Sequence, residues 1–190
     1  MIPERKRQPT LVVDYPREPT RLLKRFGLFR APVDVAGVAR QLSIEISEAN
    51  LEDRHSAFLV VKNNKARIFV NQRHHPHRQR FSIAHECGHY LLHHIPSQKE
   101  NCLFLDEKLD LYYRRNVSTD NVVDFTLERQ ANRFAAQLLM PEELIEQFIE
   151  DQDLDVLEEK AMKKMALAFK VSEQALLIRL LEVGSVSTTV

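Results

Sequence analysis

The chain is poor in cysteine, glycine and tryptophan, and it has no long apolar run. It contains 2 cysteines, 4 glycines and no tryptophan in 190 residues. Two cysteines cannot form the disulfide framework of a small secreted domain, so a reducing, cytoplasmic setting is expected. No stretch approaches the roughly 20 apolar residues of a membrane helix, and the amino-terminal residues do not resemble a signal peptide. These absences predict a soluble protein without a membrane contact.

The chain also lacks an excess of charge of either sign, with 27 basic and 27 acidic residues. Phosphate binding usually leaves a clear basic excess, so nucleic acid is an unlikely partner on composition. A hydrophobic fraction of 44% over this length suffices for one well-packed domain.

Local patterns divide the chain into three parts. Residues 1–16 hold several prolines and predict an irregular arm, residues 17–141 form a central domain, and residues 142–190 form a helical segment packed on it. Short strand patterns occur at residues 44–46, 57–61 and 67–70, with a further candidate at 109–113. Helical patterns occur near residues 17–26, 34–42, 78–95, 126–140, 141–150, 156–169 and 173–184. The expected fold class is α+β, with a small antiparallel sheet before the third helix.

The third helix carries an H-E-x-x-H motif at residues 85–89. Residues four apart lie on one face of a helix, so His85 and His89 can each point an imidazole nitrogen at one metal ion. Glu86 then lies beside the metal rather than on it. Two imidazoles, a metal-bound water and a carboxylate that takes its proton form the core of a metallopeptidase site.

Other side chains near the motif are weaker candidates. His93 lies two helical turns beyond His85, a rise of about 12 Å, which is too far for the same ion. A role in orienting the ligands at the cleft edge and an ordinary surface position fit His93 equally well. Cys87 faces away from the motif histidines and is expected to pack. A loop with three histidines is expected to be solvated rather than metal-binding, and it contains His74, His75 and His77.

A catalytic zinc site usually has three protein ligands, so one is still required. The histidine that would stand six residues after the motif in one common arrangement is absent. The other arrangement takes a glutamate from a later helix. Glu128 lies at the edge of the apolar stripe of residues 126–140, and Asn132 follows one turn later. A ligand held by an amide and a surface glutamate paired with Arg129 or Arg133 fit the periodicity equally well.

The C-terminal segment superficially resembles a helix-turn-helix unit around residues 167–172. Its last helix is predicted to keep mainly Glu173, Gln174, Arg179 and Glu182 outside its apolar stripe. Acidic ends repel phosphates, and one guanidinium offers little for reading bases. Packing against the central domain, or holding a protein partner, is therefore favoured over DNA binding.

Two segments together resemble the ImmA/IrrE family of zinc metallopeptidases. They are FSIAHECGHYLLH at residues 81–93, and ERQANRFAA with LLMP between residues 128 and 141. APVDV at residues 31–35 and Arg80 support the resemblance, which spans roughly residues 17–184. The resemblance implies a zincin-like fold with a gluzincin-type site, in which one zinc ion is bound by His85, His89 and Glu128.

The resemblance also implies a function. It predicts a hydrolase, a zinc endopeptidase with Glu86 as general base, that cleaves a bacterial helix-turn-helix repressor in a phage, mobile-element or stress response. Asn132 and His93 are the candidates to orient the ligands, and Tyr112 and Tyr113 are candidate donors to the oxyanion. The alternative is a regulatory protein that keeps the zincin fold but acts by contact with a repressor or DNA. The oligomeric state stays open.

Overall fold

The computed structural model describes residues 18–63, 65–92, 101–107, 119–156 and 158–187, with side chains except at 101–107, 119–124 and 185–187. In chain order the elements are α1 (Pro19–Phe26), α2 (Val35–Gln41), β1 (Ile44–Ala49), β2 (His55–Lys62), β3 (Lys65–Asn71), α3 (Pro76–Leu91), β4 (Asn101–Glu107), α4 (Thr119–Leu139), α5 (Glu142–Gln152), α6 (Glu159–Phe169) and α7 (Glu173–Ser187). The predicted α+β class is confirmed.

The first two helices lie where the sequence predicts them, because their end signals are satisfied. The Glu18 carboxylate caps α1 by accepting two backbone N–H groups of its first turn, at 2.9 and 2.8 Å. Gly27 ends α1 in the left-handed conformation, with φ at +66°. Asp34 caps α2 by accepting the Gly37 N–H at 2.8 Å.

The four strands form one sheet in the order β1-β3-β2-β4. β2 pairs antiparallel with β3 and with β4, as predicted for the hairpin. β1 runs parallel to β3, with Ile46 opposite Ile68, so the prediction of an antiparallel sheet is wrong for this pair. β3 runs in the same direction as β1, because the chain reverses direction twice between them. β1 pairs with the edge of β3 that β2 does not occupy, and it does not pair with β2. The result is a mixed sheet.

β4 was not among the predicted strands. The strand expected at residues 109–113 lies outside the described residues, as does the predicted arm at residues 1–16. β4 adds to the outer edge of β2, with Leu103 opposite Val60. The sheet therefore contains three strands that precede α3 in the chain and one strand that follows it.

α3 lies between the sheet and α4, and it packs against β2, β3 and α2 as well as α4. His75 precedes the helix and accepts the His77 N–H on its ring nitrogen at 3.2 Å, and Pro76 fills the first helical position. Nine residues of α3 are buried, from Ser82 onward. A helix buried on several sides is a rigid support for side chains that must meet at one point.

The three C-terminal helices pack into the same core cluster as the earlier elements. Buried members of this cluster from both parts of the chain include Leu22, Leu59, Ile68, Ala84, Leu138, Ile145, Met165, Phe169 and Leu176. α6 begins three residues later than predicted, and α7 continues to Ser187, past the predicted end at Gly184. No helix in the described part of the chain is both long and apolar enough to cross a membrane.

Candidate metal centre

The two motif histidines meet on one face of α3. The side chains of His85 and His89 are each only 2% exposed, and their Nε2 atoms lie 2.9 Å apart. Their rings are inclined by 72°, with centroids 4.6 Å apart. This is the arrangement expected for residues one turn apart that direct a nitrogen at a common point.

Glu128 of α4 reaches the same point from the opposite side. Its Oε2 lies 3.1 Å from His85 Nε2, and its Oε1 lies 3.1 Å from His89 Nε2. Arg129 and Arg133 are exposed, so the carboxylate faces the motif histidines and not these arginines. The periodicity of α4 alone is compatible with both arrangements.

The donor set fits one metal ion. Ligand atoms of His85, His89 and Glu128 all lie within 4.8 Å of one another. Ligands about 2.0–2.1 Å from a tetrahedral ion are separated by about 3.3 Å, close to the distances between these atoms. His74, His75 and His77 form no comparable group with three ligand-type side chains among the described residues.

The electrostatics of the cluster keep Glu128 ionised. Burial raises the pKa of the Glu128 carboxyl, but the hydrogen bonds and positive charge of His85 and His89 together outweigh this effect. The net result is a pKa lowered to about 2. The side chain is 23% exposed, compared with 2% for each histidine. Among these three side chains, the carboxylate is therefore the one that solvent reaches.

Asn132 supports the cluster one turn beyond Glu128. Its Oδ1 lies 2.9 Å from His85 Nδ1, so it can accept the Nδ1–H of this ring. When the ring gives up its Nε2 proton, the proton kept on Nδ1 leaves the lone pair of Nε2 directed toward Glu128 and His89. The amide thus selects the tautomer that a metal ligand requires.

Two of the three residues between the motif histidines, Glu86 and Cys87, are fully buried. Glu86 has no exposed surface, and it directly follows His85 in α3. Cys87 is also fully buried, within the hydrophobic core, where burial raises the pKa of its thiol and the Glu86 charge raises it more. The thiol is therefore neutral, and the structure agrees with its predicted packing role.

Gly88 explains why α3 and α4 approach closely enough for Glu128 to reach the histidines. A Cβ at this position would lie 3.1 Å from Phe134 Cδ1 and 3.3 Å from both Cα and O of Ala131. The backbone of α4 therefore occupies the space that any larger residue would need.

Arg80 fixes the other end of α3. Its Nη2 donates to the Val33 carbonyl at 2.9 Å, and its Nε donates to the Lys170 carbonyl at 3.3 Å. These bonds join α3 to the loop before α2 and to the turn between α6 and α7. The sequence contains no signal for them, because both acceptors are backbone carbonyls.

Three predicted candidates, His93, Tyr112 and Tyr113, lie outside the described residues. The structure therefore brings together the side chains of His85, His89, Glu128 and Asn132, and it buries Glu86 on the helix of the two histidines. Residues 39–181 match the family model described as the IrrE N-terminal-like domain, a peptidase family. No curated protein matches the chain significantly.

Proposed function

The chain belongs to the IrrE N-terminal-like family, whose members are metal-dependent peptidases, and we propose that it is a zinc-dependent endopeptidase of the gluzincin type. One observation carries this proposal. Two imidazole nitrogens and a carboxylate from two packed helices converge within 4.8 Å, and the carboxylate is the most exposed of the three groups.

Zinc suits this donor set better than magnesium or calcium, which prefer oxygen ligands. His85, His89 and Glu128 would hold it. When bound, zinc would act as a Lewis acid, which lowers the pKa of a water molecule to about 7 and polarises the scissile carbonyl.

The remaining chemistry falls to this chain's own carboxylate and amide. Glu86 accepts the proton of the attacking water on a carboxylate oxygen and delivers it to the leaving amine. Asn132 holds the His85 ring in one tautomer and one orientation, so that the ligand nitrogen does not turn away during the reaction. His93, Tyr112 and Tyr113 are the candidates for donating a hydrogen bond to the oxyanion.

We propose a bacterial helix-turn-helix repressor as the substrate, cleaved in the cytoplasm to release gene expression in a phage, mobile-element or stress response. The support for this substrate is the family resemblance of the two motif segments. The near-zero net charge agrees with a protein substrate better than with nucleic acid.

The experiment first identifies helix-turn-helix repressor genes in the neighbourhood of the gene for this chain. It then incubates the zinc-loaded chain with each such repressor and identifies the products by mass spectrometry. The Glu86→Gln variant should keep its zinc and lose cleavage, because the amide cannot accept the proton. Glu146→Gln makes the same change on an exposed face of α5 and should cleave normally. Normal cleavage by Glu86→Gln would refute the mechanism.

A second outcome of the same experiment distinguishes the alternative function. If the zinc-loaded chain binds the repressor stably and leaves it intact, the protein acts by contact rather than by hydrolysis. His85→Ala separates the roles further, since it should lose zinc as measured by elemental analysis. Undiminished zinc content in this variant would refute the proposed ligand set.

A further inference from the structure

The outward side of α7 carries three exposed apolar residues beside the exposed Gln174, contrary to the expectation that its apolar residues are buried. Leu177, Ile178 and Leu181 are 51%, 54% and 63% exposed. Residues 177 and 181 are one helical turn apart and 178 lies beside them, so the three side chains adjoin. Single exposed apolar residues are common in proteins, whereas adjoining ones often mark an interaction surface. We call these three residues the α7 face.

The inward side of α7 already holds the helix on the domain. Leu176 is fully buried in the core cluster, and Arg179 is only 6% exposed. Arg179 Nε donates to the Met140 carbonyl at 3.1 Å, and its Nη1 lies 3.3 Å from Glu182 Oε2. The sequence had predicted Arg179 outside the buried stripe, and this prediction is wrong because the guanidinium has a buried backbone acceptor. The fold therefore does not need the α7 face.

Glutamates border the α7 face on both sides. At 100° per residue, Leu181 projects from the middle of the exposed arc, with Glu173 at one edge and Glu182 at the other. Among the described side chains of α7, no basic group is exposed. Lys163 of α6 lies near Glu173, but its ammonium is bound by Glu159.

We propose that the α7 face is a docking site for a helix of another protein that carries an apolar stripe flanked by lysine or arginine. The apolar stripe would cover Leu177, Ile178 and Leu181. The basic flanks would meet Glu173 and the outer part of Glu182, which is 43% exposed although its Oε2 faces Arg179. A second copy of this chain fits less well, since α7 would bring glutamates to both partners and no exposed basic residue. DNA fits poorly for the same reason, because acidic borders repel phosphates.

The position of the docking site relative to the metal centre is fixed by two contacts. Arg179 binds the carbonyl that follows α4, the helix of Glu128. Arg80 of α3 binds the carbonyl of Lys170, which lies just before α7. A partner on the α7 face is therefore held in a constant relation to both helices that carry the ligand atoms.

The test measures binding of two fluorescein-labelled helical peptides by anisotropy at physiological salt. Both have the same leucine stripe, flanked by lysines in one and by glutamates in the other. The full chain carries Glu86→Gln, so that binding is read apart from hydrolysis and its failure leaves the proposed peptidase function untouched. The lysine peptide should bind at least about tenfold more tightly, because its flanks carry the charge opposite to that of the glutamates. Equal binding of the two peptides would overturn the proposal.

Variants locate the binding on the chain. The double change Leu177→Ser with Leu181→Ser should weaken binding by at least about tenfold, since it removes two apolar side chains that the partner would bury. Glu173→Lys should weaken the lysine peptide selectively. Leu167→Ser is the matched control, because this leucine is 74% exposed but lies on α6. An equal loss in the control would overturn the proposal.

Sedimentation of the same proteins tests the competing occupant. The wild type is expected to be no more associated than the double variant, and both should show the same thermal unfolding because the changed positions are exposed. A wild-type dimer that becomes monomeric in the double variant would overturn the proposal in favour of a second copy of this chain.

Discussion

Replacing Gly88 by alanine tests whether the close approach of α3 and α4 is what assembles the metal centre. The added methyl would meet Phe134 at 3.1 Å and the backbone of Ala131 at 3.3 Å, inside the 3.4–4 Å of ordinary contact. A phenylalanine ring can turn aside, but a helix backbone moves only with its helix. We therefore expect α4 to shift from α3 by a few tenths of an ångström.

Two opposing terms set the size of the effect. Alanine is favoured over glycine inside a helix by about 1 kcal/mol, whereas overpacking a core costs about 1–3 kcal/mol. The net expectation is a loss of up to about 2 kcal/mol in the free energy of unfolding. Metal–ligand distances tolerate only about 0.2 Å, so a shift of Glu128 should also lower zinc affinity, by about tenfold.

The assay combines urea unfolding of the metal-free protein with a zinc competition titration against a chromophoric chelator. Gly184→Ala is the matched control, because this glycine also lies in a helix but has nothing within 4 Å of an added Cβ. The control should gain up to about 1 kcal/mol and bind zinc as the wild type does. If Gly88→Ala behaves like Gly184→Ala in both measurements, the close approach does not assemble the centre.

Three further changes probe the supports of the centre. Asn132→Ala should weaken zinc binding by about 10–100-fold in the same titration, while Asn132→Asp, which keeps an acceptor, should lose much less. The pKa of Glu128 is lowered from 4.5 to about 2, so its contribution to stability is present above pH 4.5 and is lost as the pH falls toward 2. The stability gap between metal-free wild type and Glu128→Gln should close over that range in urea unfolding, and a widening gap would contradict the assignment. Arg80→Leu removes the donor to two carbonyls and should lower the free energy of unfolding by about 1–3 kcal/mol for each carbonyl that stays unsatisfied. Arg80→Lys should recover part of this loss. An unchanged urea midpoint in Arg80→Leu would show that the bonds are dispensable.

The local parts of the fold are predictable because their signals are local. Asn63 has φ at +51° in the turn between β2 and β3, as its residue type allows. α1 ends at Gly27 with the left-handed conformation that the glycine suggests. The partner of β1 is not predictable in this way, because either β2 or β3 would satisfy its alternating pattern.

For the metal centre, the sequence predicts the two histidine ligands on α3, but it leaves the orientation of Glu128 on α4 ambiguous. A four-residue spacing on one helix fixes where His85 and His89 point. Glu128 lies at the edge of an apolar stripe, so only the packing of α4 against α3 decides which way it faces. In α7, periodicity does not predict which side is buried, because apolar residues occur around most of its circumference. The buried position of Arg179 is not predictable either, because its acceptor is a carbonyl 39 positions away in the chain.

The hydrogen bond from Arg80 to the carbonyl of Lys170 affects which helices of the protein unfold together. It spans 90 positions of the chain and links the helix of the motif histidines to the C-terminal helices. Loosening α6 and α7 would release that bond and expose part of the shared core at Phe169 and Leu176. Amide exchange should therefore report the motif helix and the C-terminal helices opening as one unit, and metal bound at one end should slow exchange at the other.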